Sequence, residues 1–559
     1  MTSISDLSLG LPSDIQADVA SINEGADDLD RLCRTMLGDS ETVDAGFRAS
    51  AGEFTDLIAW DIVTAASTEL MAWEEAAKSL TYGAATLRLW AGDIKDYRLA
   101  RAGIERRWEE AVSNAEAAVS RIGSRPDMHG SLTSGAFETA KVEELEALRA
   151  DLLSEHTKHW DTLMDQADQT KKDLRDGPGQ STLERLLGAG LLTGAQLSRF
   201  SDTVPGMVPD LPSEGESPAV VGLWWSSMTE DEQRQALKEH GELLRALDGI
   251  PVTVRDELNR GFLQEEISHL EKEVAEAEEW RDAAMGPWPT GGAWGTYHAM
   301  KGLEDVQGEL DTLTTLRSRL EDPNADRYLL SLDTEGRGRA IVSSGNPDTA
   351  DGVATLVPGT TTTWQSVNGL IGRSDALLES ATDADEDGEH AVVTWVGYDA
   401  PNFVEAAFSG RAEGAVDELS GFQEGLRVTH QNTSPSHNTV IGHSYGSTVV
   451  GHTAQGDDGL DADDIVLVGS PGSNADHVSE LGFAPDDVHT STAENDGISM
   501  VTGFTHGPDP TAPGFGATVF DSDPGSEGGS WPLGDAHSEY FDRNSASLEY
   551  MGEVIAGQR

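Results

Sequence analysis

From Arg327 onward the apolar residues stop recurring at helical spacing and gather into short continuous runs, each followed by a helical or loop-like stretch. The runs are Tyr328–Asp333 (YLLSLD), Arg339–Ser344 (RAIVSS), Gly352–Val357 (GVATLV), His390–Gly397 (HAVVTWVG), Asn438–Ser444 (NTVIGHS), Asp464–Ser470 (DIVLVGS) and Asp487–Ala493 (DVHTSTA). A shorter one, Ala517–Asp521, comes last. A strand that is apolar at successive positions must be covered on both faces. Such strands alternating with helices build a mostly parallel sheet between helical layers. Ligands of these sheets gather at the carboxyl ends of the strands, so the chemistry is to be sought just after the runs.

The part before Arg327 has a different texture. Leu70, Trp73, Ala77, Leu80, Ala84 and Leu87 recur at three- and four-residue steps and form a seam along one helix face. A second seam runs from Val142 through Leu145, Leu148 and Leu152 to Trp160 and Leu163. Such seams pair with other helices, and a long-helix bundle or hairpin is expected. The stretch Ser201–Pro218 (SDTVPGMVPDLPSEGESP) carries too much Pro, Gly and Ser to sustain a helix and reads as a linker. Helical texture resumes at Leu223–Leu247 and Arg255–Arg281, is broken by Pro287–Gly295 (PWPTGGAWG), and returns at Leu303–Leu320. The expected organisation is a helical domain over 1–200, a linker over 201–220, a helical preface over 221–320, and an α/β domain over 321–559.

Charge narrows the partners. Thirty-eight basic residues against 99 acidic ones give a formal charge of -61, which repels nucleic acid and anionic membrane surfaces. A solubility-biased surface explains this balance, and so does a high-salt environment whose ions screen the repulsion. No run of about 18 apolar residues is present, so no membrane span is expected. The first residues lack a basic region followed by an apolar one, so no standard secretory signal is expected either. Cys33 is the only cysteine, which excludes an internal disulfide and cysteine-based metal sites.

One motif carries chemistry. Gly442-His443-Ser444-Tyr445-Gly446 fits G-x-S-x-G, a weak signal by itself in a chain with 60 glycines. Its setting strengthens it: the buried-type run NTVIGHS precedes it and the helical stretch STVVGHTA follows. A sharp strand-to-helix turn lifts a serine hydroxyl clear of the backbone, as in the nucleophile elbow of an α/β-hydrolase fold. The bland alternative is a glycine-rich turn with a buried serine. A serine hydroxyl needs a base, normally histidine, and the histidine needs an acid to hold its tautomer. His537, after the last run and before an expected final helix at Ser538–Ala556, is placed to be that base. Asp496, directly after DVHTSTA, is the expected acid, with Asp476 as runner-up and Asp509 third. His506, ten residues beyond Asp496 with no strand between, ranks below His537.

An oxyanion hole requires backbone N–H donors beside the nucleophile. Tyr445, the residue after Ser444, supplies one. Thr360, after the Pro358-Gly359 turn, is the expected second, with Gly359 permitting the tight turn. Tyr398 and Asp399, following the fourth run, are expected to line the pocket. Asp383, Asp385, Asp387 and Gly388 mimic the start of a calcium loop, but the required glutamate position is Thr394, so an acidic surface loop is expected instead. No metal and no organic cofactor is implied.

Two stretches go beyond a generic hydrolase pattern. One runs from Trp224-Trp225 through MTEDEQRQALKEHGELLRALDGIPVTVRDELNR to Arg260, and the other is the series VPGTTTTW, WVGYDAP, GHSYGS and LVGSPG. Over roughly Val221–Gly552 the chain resembles the actinobacterial α/β-hydrolase family of unassigned substrate. The resemblance implies a serine hydrolase with Ser444 as nucleophile. The first 200 residues resemble the helical hairpins of WXG-type type VII secretion substrates. Here Trp60 is followed by Asp61-Ile62, without the glycine, and Trp90-Ala91-Gly92 falls inside or at the end of the seam helix.

The expected function is cleavage of an ester, less readily an amide, of a small acyl substrate through an acyl-Ser444 intermediate. The competing reading is a non-enzymatic interaction protein or secreted effector that uses an inactive hydrolase fold as scaffold. The implied location is the cytoplasm, or outside the cell by a type VII-like route. In the latter case the N-terminal region would engage a helical partner or the type VII secretion machinery.

Overall fold

The helical spacing of the N-terminal apolar residues resolves into α1 (Val19–Gly52), α2 (Leu57–Gly123) and α3 (Gly130–Asp176). The computed structural model describes residues 3–52, 57–123, 130–192, 196, 200, 211–213, 215–285, 292–432, 434–456, 459–500, 506–529 and 533–559. These divide into two units, Met1–Leu186 and Leu187–Arg559. In the first, α2 has 67 residues, a rod of about 100 Å. Both its neighbours run antiparallel to it. Arg88 pairs with Asp27 and Cys33 lies against Ala77, while Tyr97 meets His156 and Tyr82 donates to the Asp173 carbonyl.

The second seam packs as its spacing requires. Ile104, Trp108 and Ala115 of α2 bury against Val142, Leu145 and Leu152 of α3. In the first seam Ala77 and Ala84 are buried, whereas the side chains of Leu70 and Trp73, and that of Trp60, lie outside the described residues. Trp90-Ala91-Gly92 sits in the interior of α2, not at a turn between helices.

In the second unit, residues 201–210 and 214 of the expected linker lie outside the described residues. Helix begins earlier than the apolar pattern indicates, with α4 at Pro218–Ser226. Ser217 accepts a hydrogen bond from the Val220 N–H, and proline fits the first helical position. The stretch expected as one helix over Leu223–Leu247 is two. Thr229 and Glu232 form a capping box that starts α5 (Glu230–Leu244) afresh. Next come α6 (Val252–Met285) and α7 (Gly292–Leu320), the latter starting inside the expected break at Pro287–Gly295.

Among the described residues the sheet has eight strands: β1 (Arg327–Asp333), β2 (Arg339–Ser344), β3 (Gly352–Val357), β4 (His390–Val396), β5 (His437–His443), β6 (Asp464–Val468), β7 (Val488–Ser491) and β8 (Thr518–Val519). Their order is β1-β2-β4-β3-β5-β6-β7-β8. The β1–β2 and β2–β4 pairs are antiparallel and the others parallel. It is the mostly parallel sheet expected from the apolar runs.

Continuous apolar runs fill both faces by alternation. Val353, Val440, Ile465 and Leu467 point to the side covered by α9 (Val416–Thr429) and α10 (Tyr445–Ala454), with Phe422 and Val449. Their neighbours Ala354, Ile441, Val466 and Val468 point to the side covered by α8 (Val367–Ala384) and α11 (Ala546–Ile555), with Leu377 and Met551. Each such valine, leucine or isoleucine contributes about 1.5–3 kcal/mol by burial, so a charge at Val466 would break a core layer rather than a surface.

The VRDELNR stretch has a structural task. β1 is an edge strand, and side chains of α5–α6 take up its free backbone groups. Asp256 accepts the Leu329 N–H at 2.7 Å, while Arg255 and Asn259 both donate to the Leu330 carbonyl at 3.0 Å. Arg260 donates to the Arg327 carbonyl at 2.6 Å and Arg245 to the Leu332 carbonyl at 2.7 Å. An edge satisfied in this way does not template pairing with another strand.

Candidate active site

Strand register brings the candidate residues to one edge. Val357 pairs with Gly442, and His443 with Val468, so β3, β5 and β6 end side by side. Ser444 follows β5 with φ 57° and ψ -130°, a backbone conformation that few non-glycine residues adopt. Its N–H donates to the Val468 carbonyl at 3.1 Å, which holds the turn. The flanking glycines are sterically required. A Cβ at Gly446 would lie 2.1 Å from the Val357 carbonyl oxygen, and one at Gly442 would lie 2.7 Å from the Ser447 Cα. Gly359 presses on the serine itself, since a Cβ there would be 2.6 Å from Ser444 Cβ.

His537 lies in a 3-10 helix, Asp535–Phe541, not ahead of one long final helix. The expected Ser538–Ala556 helix is interrupted because Asn544 takes φ 65° and Ser545 caps α11 anew. His537 Nδ1 is 2.9 Å from both carboxylate oxygens of Asp496. Asp496 also accepts the Tyr540 hydroxyl at 2.6 Å and the Ile498 N–H at 2.8 Å, and its side chain is fully enclosed. A set of donors of this kind holds a carboxylate in one orientation. His537 Nε2 has no hydrogen-bond partner among the described residues. His537 and Ser444 line the same cavity, of about 280 Å³, with no hydrogen bond between them among the described residues.

The other candidates fall elsewhere. Asp476 is exposed, and its backbone N–H donates to Glu480. Asp509 accepts from the N–H and hydroxyl of Thr511, a turn-forming role. His506 is held by the Ala406 carbonyl at 2.7 Å and meets the edge of the Tyr445 ring; burial lowers its pKa.

Of the two donors proposed from sequence, Thr360 lines the cavity, whereas Tyr445 follows Ser444 and is not among the lining residues. Tyr445 opens α10, where a first-turn N–H has no acceptor within the helix and carries the positive end of the helix dipole. Gly359 and Thr360 line the cavity. The next residue, Thr361, takes φ 63°, unusual for a β-branched side chain, and its N–H donates to the Pro401 carbonyl at 2.7 Å. Tyr398 and Asp399 do not line the cavity. Tyr398 is buried beneath the loop because its hydroxyl donates to the Pro358 carbonyl at 2.8 Å, and Asp399 points outward to Arg411 at 3.4 Å.

Several neighbours were not legible from the motif. His443 Nε2 donates to the His537 carbonyl at 2.7 Å, which leaves Nδ1 as the acceptor. Burial, and then the nearby His537 and Arg373, hold its pKa well below the ordinary value, so it stays neutral. Arg373, on α8, lines the cavity. Tyr540 stands three residues after His537, and that spacing on a helical turn was a usable signal for a shared partner. No sequence pattern marks Arg373. Among the described residues no group of three or more His, Cys, Asp or Glu is arranged to hold a metal, and no helix is long and apolar enough to cross a membrane.

The alpha/beta hydrolase family model matches residues 333–506, which include the elbow and Asp496. The uncharacterized protein Rv2079 of Mycobacterium tuberculosis is 31% identical over 386 residues, covering 62% of this chain and 57% of that protein. The chain thus spans little more than half the length of that relative. The uncharacterized protein Mb0988c of Mycobacterium bovis is 31% identical over 226 residues, 38% of this chain and 77% of that protein. Among solved structures, esterase LipW from Mycobacterium marinum overlays with a TM-score of 0.28 at 10% identity, covering 47% of this chain and 90% of that one. This chain belongs to the alpha/beta hydrolase family, with uncharacterized mycobacterial relatives.

Proposed function

We propose that the protein is a serine hydrolase that cleaves an ester, less readily an amide, through an acyl-Ser444 intermediate. The observation that carries the reading is one cavity holding Ser444 at a strained elbow and His537 with Nδ1 held by Asp496 and Nε2 free to act. In this reading His537 Nε2 takes the Ser444 proton as Oγ attacks the carbonyl carbon. The carbonyl oxygen becomes an oxyanion held by the Tyr445 and Thr360 N–H groups. The imidazolium then returns its proton to the leaving oxygen, and the acyl group stays on Ser444. Water, deprotonated by the same nitrogen, releases the acid and restores the serine. Asp496 holds the tautomer and stabilises the imidazolium, without itself taking the proton.

Labelling with a fluorophosphonate probe tests this reading, because only an activated serine reacts. The expected result is one labelled site, Ser444, together with turnover of short p-nitrophenyl esters. Intact protein that is neither labelled nor active would leave the fold as a scaffold without acyl chemistry.

A further inference from the structure

The cavity around Ser444 also holds a cation that the hydrolytic steps leave unused. Arg373 lines it together with the hydroxyl-bearing Thr360, Thr361, Thr362 and Ser538. Other enclosed arginines of this unit are neutralised: Arg327 by Asp375, Arg255 by Asp248, and Arg427 by Asp461 and Asp463. Arg373 forms no ion pair among the described residues. Its one polar contact there is Nη1 to His443 Nδ1 at 3.5 Å, at the long limit of a hydrogen bond, and Phe541 lies 5.1 Å from the guanidinium carbon. His443, kept neutral by burial, supplies no counter-charge. Desolvation lowers the pKa of Arg373, opposed by the charge of Asp542. A partly enclosed cation with no ion-pair partner among the described residues is costly unless a ligand completes it.

We propose that Arg373 binds an oxyanion on the substrate, so that the site takes esters bearing a carboxylate or phosphate group. The inference rests on the serine hydrolase reading and adds the substrate class to it. The planar guanidinium matches carboxylate and phosphate oxygens in pairs. In a chain of net charge -61 a substrate anion is otherwise repelled, so a preference for the anionic ester is not the default outcome.

The test uses the full chain and two substrates, p-nitrophenyl hemisuccinate and its neutral methyl ester. In the unmodified protein kcat/KM should favour the acid by on the order of tenfold or more, the scale of one charge-assisted contact. Arg373→Gln should bring the ratio to about one or below, and Arg373→Lys should keep part of the preference. A neutral ester cleaved as well as the acid, or a preference that survives Arg373→Gln, overturns the inference and leaves the hydrolase reading standing. If Ser444 is labelled by a fluorophosphonate but neither ester turns over, protection decides. Slower labelling in succinate or in inorganic phosphate supports the site and tells which anion it takes, and unchanged labelling in both overturns it. No labelling at all removes the hydrolase reading, and the inference with it.

Discussion

The two units solve the folding problem differently. In Met1–Leu186 the chain runs in helices of up to 67 residues, whose hydrogen bonds close within one turn, and the apolar seams do the rest. In Leu187–Arg559 the decisive contacts are backbone pairings between strands that are not consecutive in the chain, such as β2 with β4 and β3 with β5. Backbone strain is divided just as unevenly. The described non-glycine residues with left-handed backbone are Thr361, Ser444, Asn474 and Asn544, all in the second unit. Asparagine tolerates that region well, so the costly cases are Thr361 and Ser444, both beside the candidate site. Strain is tolerated where the surrounding structure over-determines it, and in this molecule a packed parallel sheet provides that support.

The sharpest way to break this contrast is at Ser444. Ser444→Ala should lower turnover of a short ester by on the order of 10⁶-fold, as removal of a triad serine does, without lowering the melting temperature. Retained turnover would place the chemistry elsewhere. Asp496→Asn should follow at on the order of 10⁴-fold, because the replacement favours the wrong histidine tautomer. Asp476→Asn, beside it, serves as the control. A crippled Asp476→Asn with an active Asp496→Asn would show that the acid is supplied from the earlier loop.

In the helical unit the expected effect is on stability. Leu152 is 1% exposed and packed against Ile104 and Trp108. Leu152→Ala should therefore cost about 2–5 kcal/mol by cavity formation, measured as a lower denaturation midpoint of the helical signal. A loss well under 1 kcal/mol would mean the seam is not what holds these helices.

A smaller effect separates the units by pH. Asp348 is fully buried in the second unit, accepting from Thr429 at 2.6 Å and from the Val252 N–H at 2.8 Å. Burial pushes its pKa up to about 7 from 3.8, against the lowering effect of those bonds and of Arg255. The folded chain therefore holds a proton that the unfolded chain releases, and stability falls as pH rises from about 4 to about 7. The loss is on the order of 4 kcal/mol. Asp348→Asn, uncharged at every pH, should flatten that slope in chemical denaturation series. A slope unchanged by the substitution would assign the pH dependence to other groups.

Much of the architecture was legible because it depends on local patterns. Short runs apolar at successive positions, bounded by turn residues, fit strands covered on both faces, and most of the strands from β1 to β6 lie where such runs occur. Ser444 was legible because an elbow needs glycines at fixed short distances, and steric limits act between close neighbours. Helix ends were less so: α4 and α5 divide at a capping box, and the last helix divides at Asn544, where one residue outweighs the periodicity on either side.

What the sequence by itself determined is the order of strands and helices and the place of the candidate nucleophile, since both follow from spacing along the chain. Tertiary structure was needed to separate Asp496 from the aspartates ranked behind it, and it alone decided that Tyr398 supports the loop from below instead of lining the cavity. It alone decided as well that an arginine on α8 enters the cavity without a carboxylate partner among the described residues. The reason is physical. Asp476 follows β6, while Asp496 and Asp509 both follow β7, and the register of β3, β5, β6 and β7 helps set which of these loop positions reaches the histidine.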